Sequence, residues 1–211
     1  MRPITQPTDA DEPRRLPKSF RLLQSAIALA NECAQEMVAN LDAPDLAATG
    51  DRIERVEEEK RVLAAAMEDH LQGALLEPFD PADLHGLSAN IALLTHRTAR
   101  ALYFFGLLGA ERAPANLRVL ARHLADATAE TVRIVEDLTS RRARELGERA
   151  RSVRSLRDDA HLQAERIVAI APSTQGTDVV LWRTVGEAID VAMAQALAVA
   201  DECLRLATKH D

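Results

Sequence analysis

The sequence predicts an all-α protein, an up-and-down antiparallel bundle of about six long helices. Three observations predict it. Ala and Leu supply roughly a third of the 211 residues while aromatic residues make up 3% and glycine occupies 8 positions, so helix formers dominate and sheet-building residues are scarce. Apolar residues recur at intervals of three and four in six successive blocks, the spacing that lines one face of a helix. Short Pro-, Gly- or Asp-containing segments separate the blocks, and short connections between long helices require antiparallel neighbours.

The first helix begins at Lys18, with Phe20, Leu23, Ile27, Ala30, Ala34, Met37 and Leu41 forming an unbroken seam. Before it, residues 1–17 carry four prolines and no apolar stretch of the kind a secretory signal contains, and read as a flexible arm. Pro44 suits the first turn of the second helix, whose seam runs through Leu46, Ile53, Val56, Leu63 and Met67 towards Leu75, interrupted by Lys60. In the segment Glu77-Pro78-Phe79-Asp80-Pro81-Ala82-Asp83, Asp80 is placed to cap the third helix, Pro81 to open it, and Asp83 to favour its dipole. That helix carries Leu84, Leu87, Ile91, Leu94, Thr98, Ala101, Phe105 and Leu108, and Gly109 and Pro114 close it.

Leu117, Leu120, Leu124, Ala127, Thr131, Ile134 and Leu138 predict a fourth helix; Val153, Leu156, Ala160, Ile167 and Ile170 predict a fifth, with the division between Thr139 and Gly147. After a loop at residues 172–176, Trp182, Val185, Ile189, Ala192, Ala196, Val199, Cys203 and Leu206 make the sixth seam. The helices form one domain over 18–211.

A formal charge of −7, from 33 acidic against 26 basic residues, argues against nucleic acid as the main partner, because phosphate contacts need a basic surface. Cys33 and Cys203 lie far apart, so neither a thiolate zinc site nor a disulfide framework is expected, and both read as reduced thiols. The longest apolar run, residues 101–110, is about half what a bilayer-spanning helix requires, so no membrane span is expected and the protein is placed in the cytoplasm.

The search for chemistry returns no phosphate loop, nucleophile elbow, HExxH pair or dinucleotide fingerprint, so the chain is expected not to be an enzyme. His85 and His96 share a face of the third helix but stand about 16 Å apart along its axis, too far to share a metal. Glu57 and Arg61 fall at i and i+4 with the acid first, the favourable order for an ion pair. Residues 141–157 hold seven arginines against two glutamates; Glu145 with Arg149 and Glu148 with Arg151 are spaced to form surface pairs, and the stretch, with Arg149, Arg151 and Arg154, is a candidate contact surface for an anion or an acidic partner. Tyr103, Phe104, Phe105, Leu107 and Leu108 surround the end of the third helix with apolar surface, which needs cover from neighbouring helices or from a partner.

The run Ile53-Glu54-Arg55-Val56-Glu57-Glu58-Glu59, the turn Phe79-Asp80-Pro81-Ala82-Asp83-Leu84-His85-Gly86-Leu87 and the long helices that follow resemble the PhoU-like proteins. The turn is most similar to the branch that accompanies Pit-type inorganic phosphate permeases. The resemblance covers residues 18–208 and implies paired three-helix bundles. It further implies regulation of phosphate transport from the cytoplasmic side, contact with a permease or phosphate-signalling protein, and self-association. It also implies (E/D)xxxD motifs that bind metal ions in several members.

At those motifs this chain departs from the family. Glu57 stands in the first but its partner position is Arg61; the second holds Ala92 and His96, the third Arg157 and His161 beside Asp158 and Asp159, the fourth Ala194 and Ala198. The replacements suggest that Arg61 and Arg157 supply the positive charge that a metal supplies in relatives. Glu57, Asp158 and Asp159 are then their ion-pair partners, and no cofactor is needed. A rival reading keeps Glu57, His96 and His161 as ligands of a mononuclear zinc or iron site. In a third, the arginines hold phosphate or another oxyanion directly. The function expected from the resemblance is a non-enzymatic regulator or accessory of phosphate transport; the alternatives are a metal-storage or metal-sensing bundle and a structural oligomerisation module.

Overall fold

Asp80 acts as the sequence predicts. In the computed structural model, which describes residues 16–41, 46–73, 77–108, 113–140, 143–170 and 177–209, its Oδ1 accepts a hydrogen bond from the Ala82 amide at 2.8 Å and its carbonyl accepts from the Leu84 amide at 3.0 Å. Pro81 opens the helix behind it. The described residues form six α-helices and no strand: α1 (Lys18–Ala39), α2 (Leu46–Gly73), α3 (Pro81–Leu108), α4 (Ala115–Asp137), α5 (Ala143–Ile170) and α6 (Thr177–Lys209). A 3-10 turn at Leu138–Ser140 ends α4, which settles the division the sequence left between residues 139 and 147. Residues 1–15, Pro44, Leu75, Gly109 and the loop at 172–176 lie outside the described residues.

Hydrogen bonds between helices give their directions. Asn40 Nδ2 donates to Thr49 Oγ1 at 3.0 Å and Arg52 reaches back to Glu32 at 2.9 Å, so α1 and α2 run antiparallel. Ser19 donates to Glu77 just before α3, while the Thr95 hydroxyl near the middle of α3 donates to the Ala26 carbonyl of α1, so α1 and α3 run the same way. Arg118 donates to the Leu41 carbonyl and Thr128 to Asn31, setting α4 antiparallel to α1. Lys209 and Arg205 bond to Asp83, and Arg97 to Gln195, setting α6 antiparallel to α3.

These neighbours make a four-helix core of α1, α3, α6 and α4, with α2 packed on the α1/α3 side and α5 on the α4/α6 side. Each group of three consecutive helices is one half of the bundle, and the halves meet through α1/α4 and α3/α6.

Every seam position predicted for α3 and α4 is buried, and so are Val185 through Leu206 of the α6 seam. Fully burying a Leu, Ile or Phe side chain contributes roughly 1.5–3 kcal/mol, whereas an exposed ion pair contributes at most about 1 kcal/mol, so this core holds the bundle together. Thr95, Thr98, Thr128 and Thr131 are buried with their hydroxyls donating to the carbonyls of Ile91, Leu94, Leu124 and Ala127, one turn back, which removes the cost of an unpaired polar group. Phe79 anchors the turn before α3, 3% exposed with its ring 5.7 Å from that of Phe20. The outer helix α2 is less covered: Val56 and Met67 are buried, Ile53 and Leu63 only partly. Among the described residues no helix is long and apolar enough to cross a membrane.

Candidate functional site

One face of the bundle carries the row α2, α3, α6, α5, and the predicted site residues on it fall at the two outer interfaces. Between α2 and α3, Glu57 Oε1 lies 3.1 Å from His96 Nδ1, and the other oxygen of Glu57 accepts from Lys60. Burial pushes the Glu57 carboxyl up, but the hydrogen bonds and charges of Lys60 and His96 outweigh it and hold the group below the usual carboxylate range. Between α5 and α6, His161 Nδ1 lies 3.4 Å from Asp190 Oδ1 and its Nε2 lies 3.6 Å from Glu165. Asp190 Oδ1 is buried and, although near the His161 ring, has no hydrogen bond among the described residues. Each half thus places one histidine against a carboxylate on the neighbouring helix, with the roles exchanged: acid on α2 and histidine on α3, histidine on α5 and acid on α6.

The pairing expected between Glu57 and Arg61 does not form. Arg61 turns outward to Glu58, and Lys60, three residues from Glu57, takes its place because it lies on the side of α2 that faces α3. Arg157 pairs with the adjacent Asp158 at 3.2 Å, and Asp159 is exposed without an ion pair among the described residues. Arg61 and Arg157 therefore make separate local pairs rather than one cluster.

Nor do Glu57, His96 and His161 converge as a mononuclear site. His161 is engaged by Asp190 and Glu165, and among the described residues no group of three or more His, Cys, Asp or Glu side chains is arranged to hold a metal ion. The donors do not fit the metal that the family resemblance implies, because Glu57 and His96 offer two ligands with the Lys60 ammonium on the same carboxylate.

The basic stretch is largely neutralised in place. Arg149 pairs across to α4, with Asp137 at 2.9 Å and Glu130 at 3.1 Å, instead of with Glu145. Burial works against its charge, but the hydrogen bond it donates to Glu130 and the charge of Asp137 prevail and raise its pKa. Glu148 pairs with Arg144 at 3.5 Å rather than with Arg151, which donates to the Gly147 carbonyl, and Arg154 binds Asp201 of α6 at 2.9 Å. Intrahelical spacing allowed the expected pairs; carboxylates on α4 and α6 compete successfully for Arg149 and Arg154.

The apolar end of α3 divides. Phe105 and Leu108 are buried, Phe104 is partly buried, and Tyr103 and Leu107 remain 47% and 45% exposed.

Between the two histidine pairs runs a groove along α3 and α6 with a cavity of about 450 Å³, lined by His96, Arg97, Arg100 and Phe104 on one side and Thr184 and Glu187 on the other. A smaller depression of about 160 Å³ between α5 and α6 adjoins it through Glu187 and holds His161 and Asp190. Arg97, Arg100, Glu187 and Asp190 were not singled out from the sequence. Asp190 sits one turn before Ala194 of the fourth motif, and the Glu187/Asp190 spacing of three, the only acids between Val179 and Ala200, was the available signal.

The sequence matches no protein-family model and no curated protein. Among solved structures the chain is similar to a PhoU-like protein from Shewanella oneidensis MR-1, with a TM-score of 0.69 over 90% of this chain and 99% of that one, at 15% identity. A second structure from the same organism, called a PhoU-like phosphate regulatory protein, gives the same score, coverage and identity. The fold is the PhoU-like all-α helical bundle.

Proposed function

We propose that the chain is a PhoU-like regulator or accessory protein of inorganic phosphate transport, without catalytic activity, that acts by contact with other proteins. The observation that carries this reading is the end-to-end correspondence of the bundle, 90% of this chain against 99% of a protein called a PhoU-like phosphate regulatory protein. The turn at Phe79–Leu87, built around a capping Asp80 and a buried Phe79, supports the narrower assignment to the branch that accompanies Pit-type permeases. On this reading the scaffold is metal-independent: the Lys60 ammonium neutralises Glu57 and His96 bonds to it where relatives place cations, and His161 faces Asp190 in the other half. The partner is a phosphate permease or a phosphate-signalling protein, met at the inner face of the membrane, and the protein self-associates through surface such as Tyr103 and Leu107.

Phosphate uptake in a strain lacking the protein tests the reading, together with recovery of the tagged protein from detergent-solubilised membranes. Altered uptake and co-purification of a phosphate permease are expected. Unchanged uptake at both low and high external phosphate, with no permease recovered, overturns it.

A further inference from the structure

The groove between α3 and α6 contains two cations without counter-ions. Arg97 and Arg100 stand three residues apart on one face of α3, where like charges repel, and neither meets a carboxylate among the described residues. Arg149, Arg154 and Arg205, by contrast, each hold one or more acids.

Both groove arginines are positioned by neutral partners. Arg97 Nη1 donates to Gln195 Oε1 at 2.9 Å, and Gln195, only 5% exposed, is itself fixed because its Nε2 donates to the Asn90 carbonyl at 3.1 Å and to Asn90 Oδ1 at 3.2 Å. That anchorage uses one of the five N–H groups of the guanidinium and leaves the remainder to the groove. Arg100 lies over the Phe104 ring, 5.4 Å from its centroid, a contact that orients the guanidinium without neutralising it. The acid that lines the cavity, Glu187, is already held by Arg183 at 2.6 Å, and Glu57 beside it by Lys60 and His96.

Around these charges the walls are apolar: Phe104, with Leu93 at 39% and Val191 at 46% exposure. A volume of about 450 Å³ is in the range of sites for small organic ligands, about 300–1,000 Å³, and larger than a lone tetrahedral oxyanion fills.

We propose that this groove binds a small organic phosphate monoester, its phosphoryl oxygens on Arg97 and Arg100 and its apolar or aromatic body against Phe104, Leu93 and Val191. A phosphomonoester dianion supplies both missing counter-charges and matches the planar donor forks of two guanidinium groups. This goes beyond the regulatory reading and does not rest on it, since ligand binding by the purified chain and phosphate uptake by cells can fail independently.

Calorimetric titration of the full chain at low salt tests it, with phenyl phosphate and inorganic phosphate as probes. Phenyl phosphate is expected to bind at least roughly tenfold more tightly than inorganic phosphate. Arg97→Gln combined with Arg100→Gln should weaken both probes by roughly tenfold or more, and Phe104→Ala should weaken phenyl phosphate more than inorganic phosphate. Arg100→Gln by itself, at an exposed position, leaves the Arg97–Gln195 hydrogen bond intact and gives the same test with a smaller loss for both probes. Arg166→Gln, outside the groove, should change neither affinity. No binding of phenyl phosphate, equal affinity for the two probes, or wild-type affinity in folded arginine variants overturns the proposal.

Discussion

Glu57 on α2 and His96 on α3 meet across the helix interface at 3.1 Å, and Lys60 closes the same carboxylate from its other side. The folded-state pKa of Glu57 is held below the ordinary 4.5, so its stabilising contribution is fully present above that value and is lost as pH falls through the folded value. Glu57→Gln should lower stability by about 1 kcal/mol or less at pH 7, since the partly exposed carboxylate is screened by solvent. The gap between wild type and variant in urea melts should narrow below about pH 4.5. Coincident midpoints at pH 7 would show that the pair contributes nothing.

A second clamp joins the two halves of the bundle. Asp83 in the first turn of α3 accepts from Lys209 at 2.6 Å and from Arg205 at 2.9 Å, both in the last turns of α6. Lys209 first and Arg205 second hold its carboxyl below the usual range. Asp83→Asn should cost about 1 kcal/mol in low salt, less as salt screens the pair, and should speed amide exchange at 205–209. Unaltered exchange at the end of α6 would remove the clamp from the account.

Both cysteines should be silent in the native state. Cys33 and Cys203 are fully buried and free; burial pushes the Cys33 thiol up to about 12 and raises Cys203 as well. A thiol-specific reagent at pH 8 should label neither until denaturant is added, and then both. Rapid labelling of the folded protein would place one of them at an opening in the bundle.

The seams of α3 and α4 were fully legible because each helix packs against several others, and a wide buried face writes a regular three–four repeat into the sequence. The seam of α2 was less so. It lies at the edge of the bundle, where a narrow stripe suffices, and Lys60 can interrupt the apolar pattern because it turns to Glu57. The Asp80 cap was legible because capping is local in sequence.

Ion-pair partners were not legible. Spacing within a helix offered Arg61 to Glu57 and Glu145 to Arg149, but His96, Glu130 and Asp137 come from neighbouring helices whose register only the packed bundle fixes. The same holds for Arg97 and Arg100: a sequence displays a positive charge, and only the fold reveals that glutamine and phenylalanine, rather than an acid, stand beside it.

The claim on which the rest depends is that this PhoU-like bundle stands without metal, with Lys60 and His96 bonded to Glu57 and His161 beside Asp190 at its helix interfaces. Metal content by plasma mass spectrometry on tag-free protein purified without chelator, followed by thermal melts with and without EDTA, tests it most directly. The account predicts metal far below one ion per chain and an unchanged Tm. Near-stoichiometric zinc, iron or manganese, with a Tm that falls on chelation, would contradict it and return Glu57, His96 and His161 to the role of ligands.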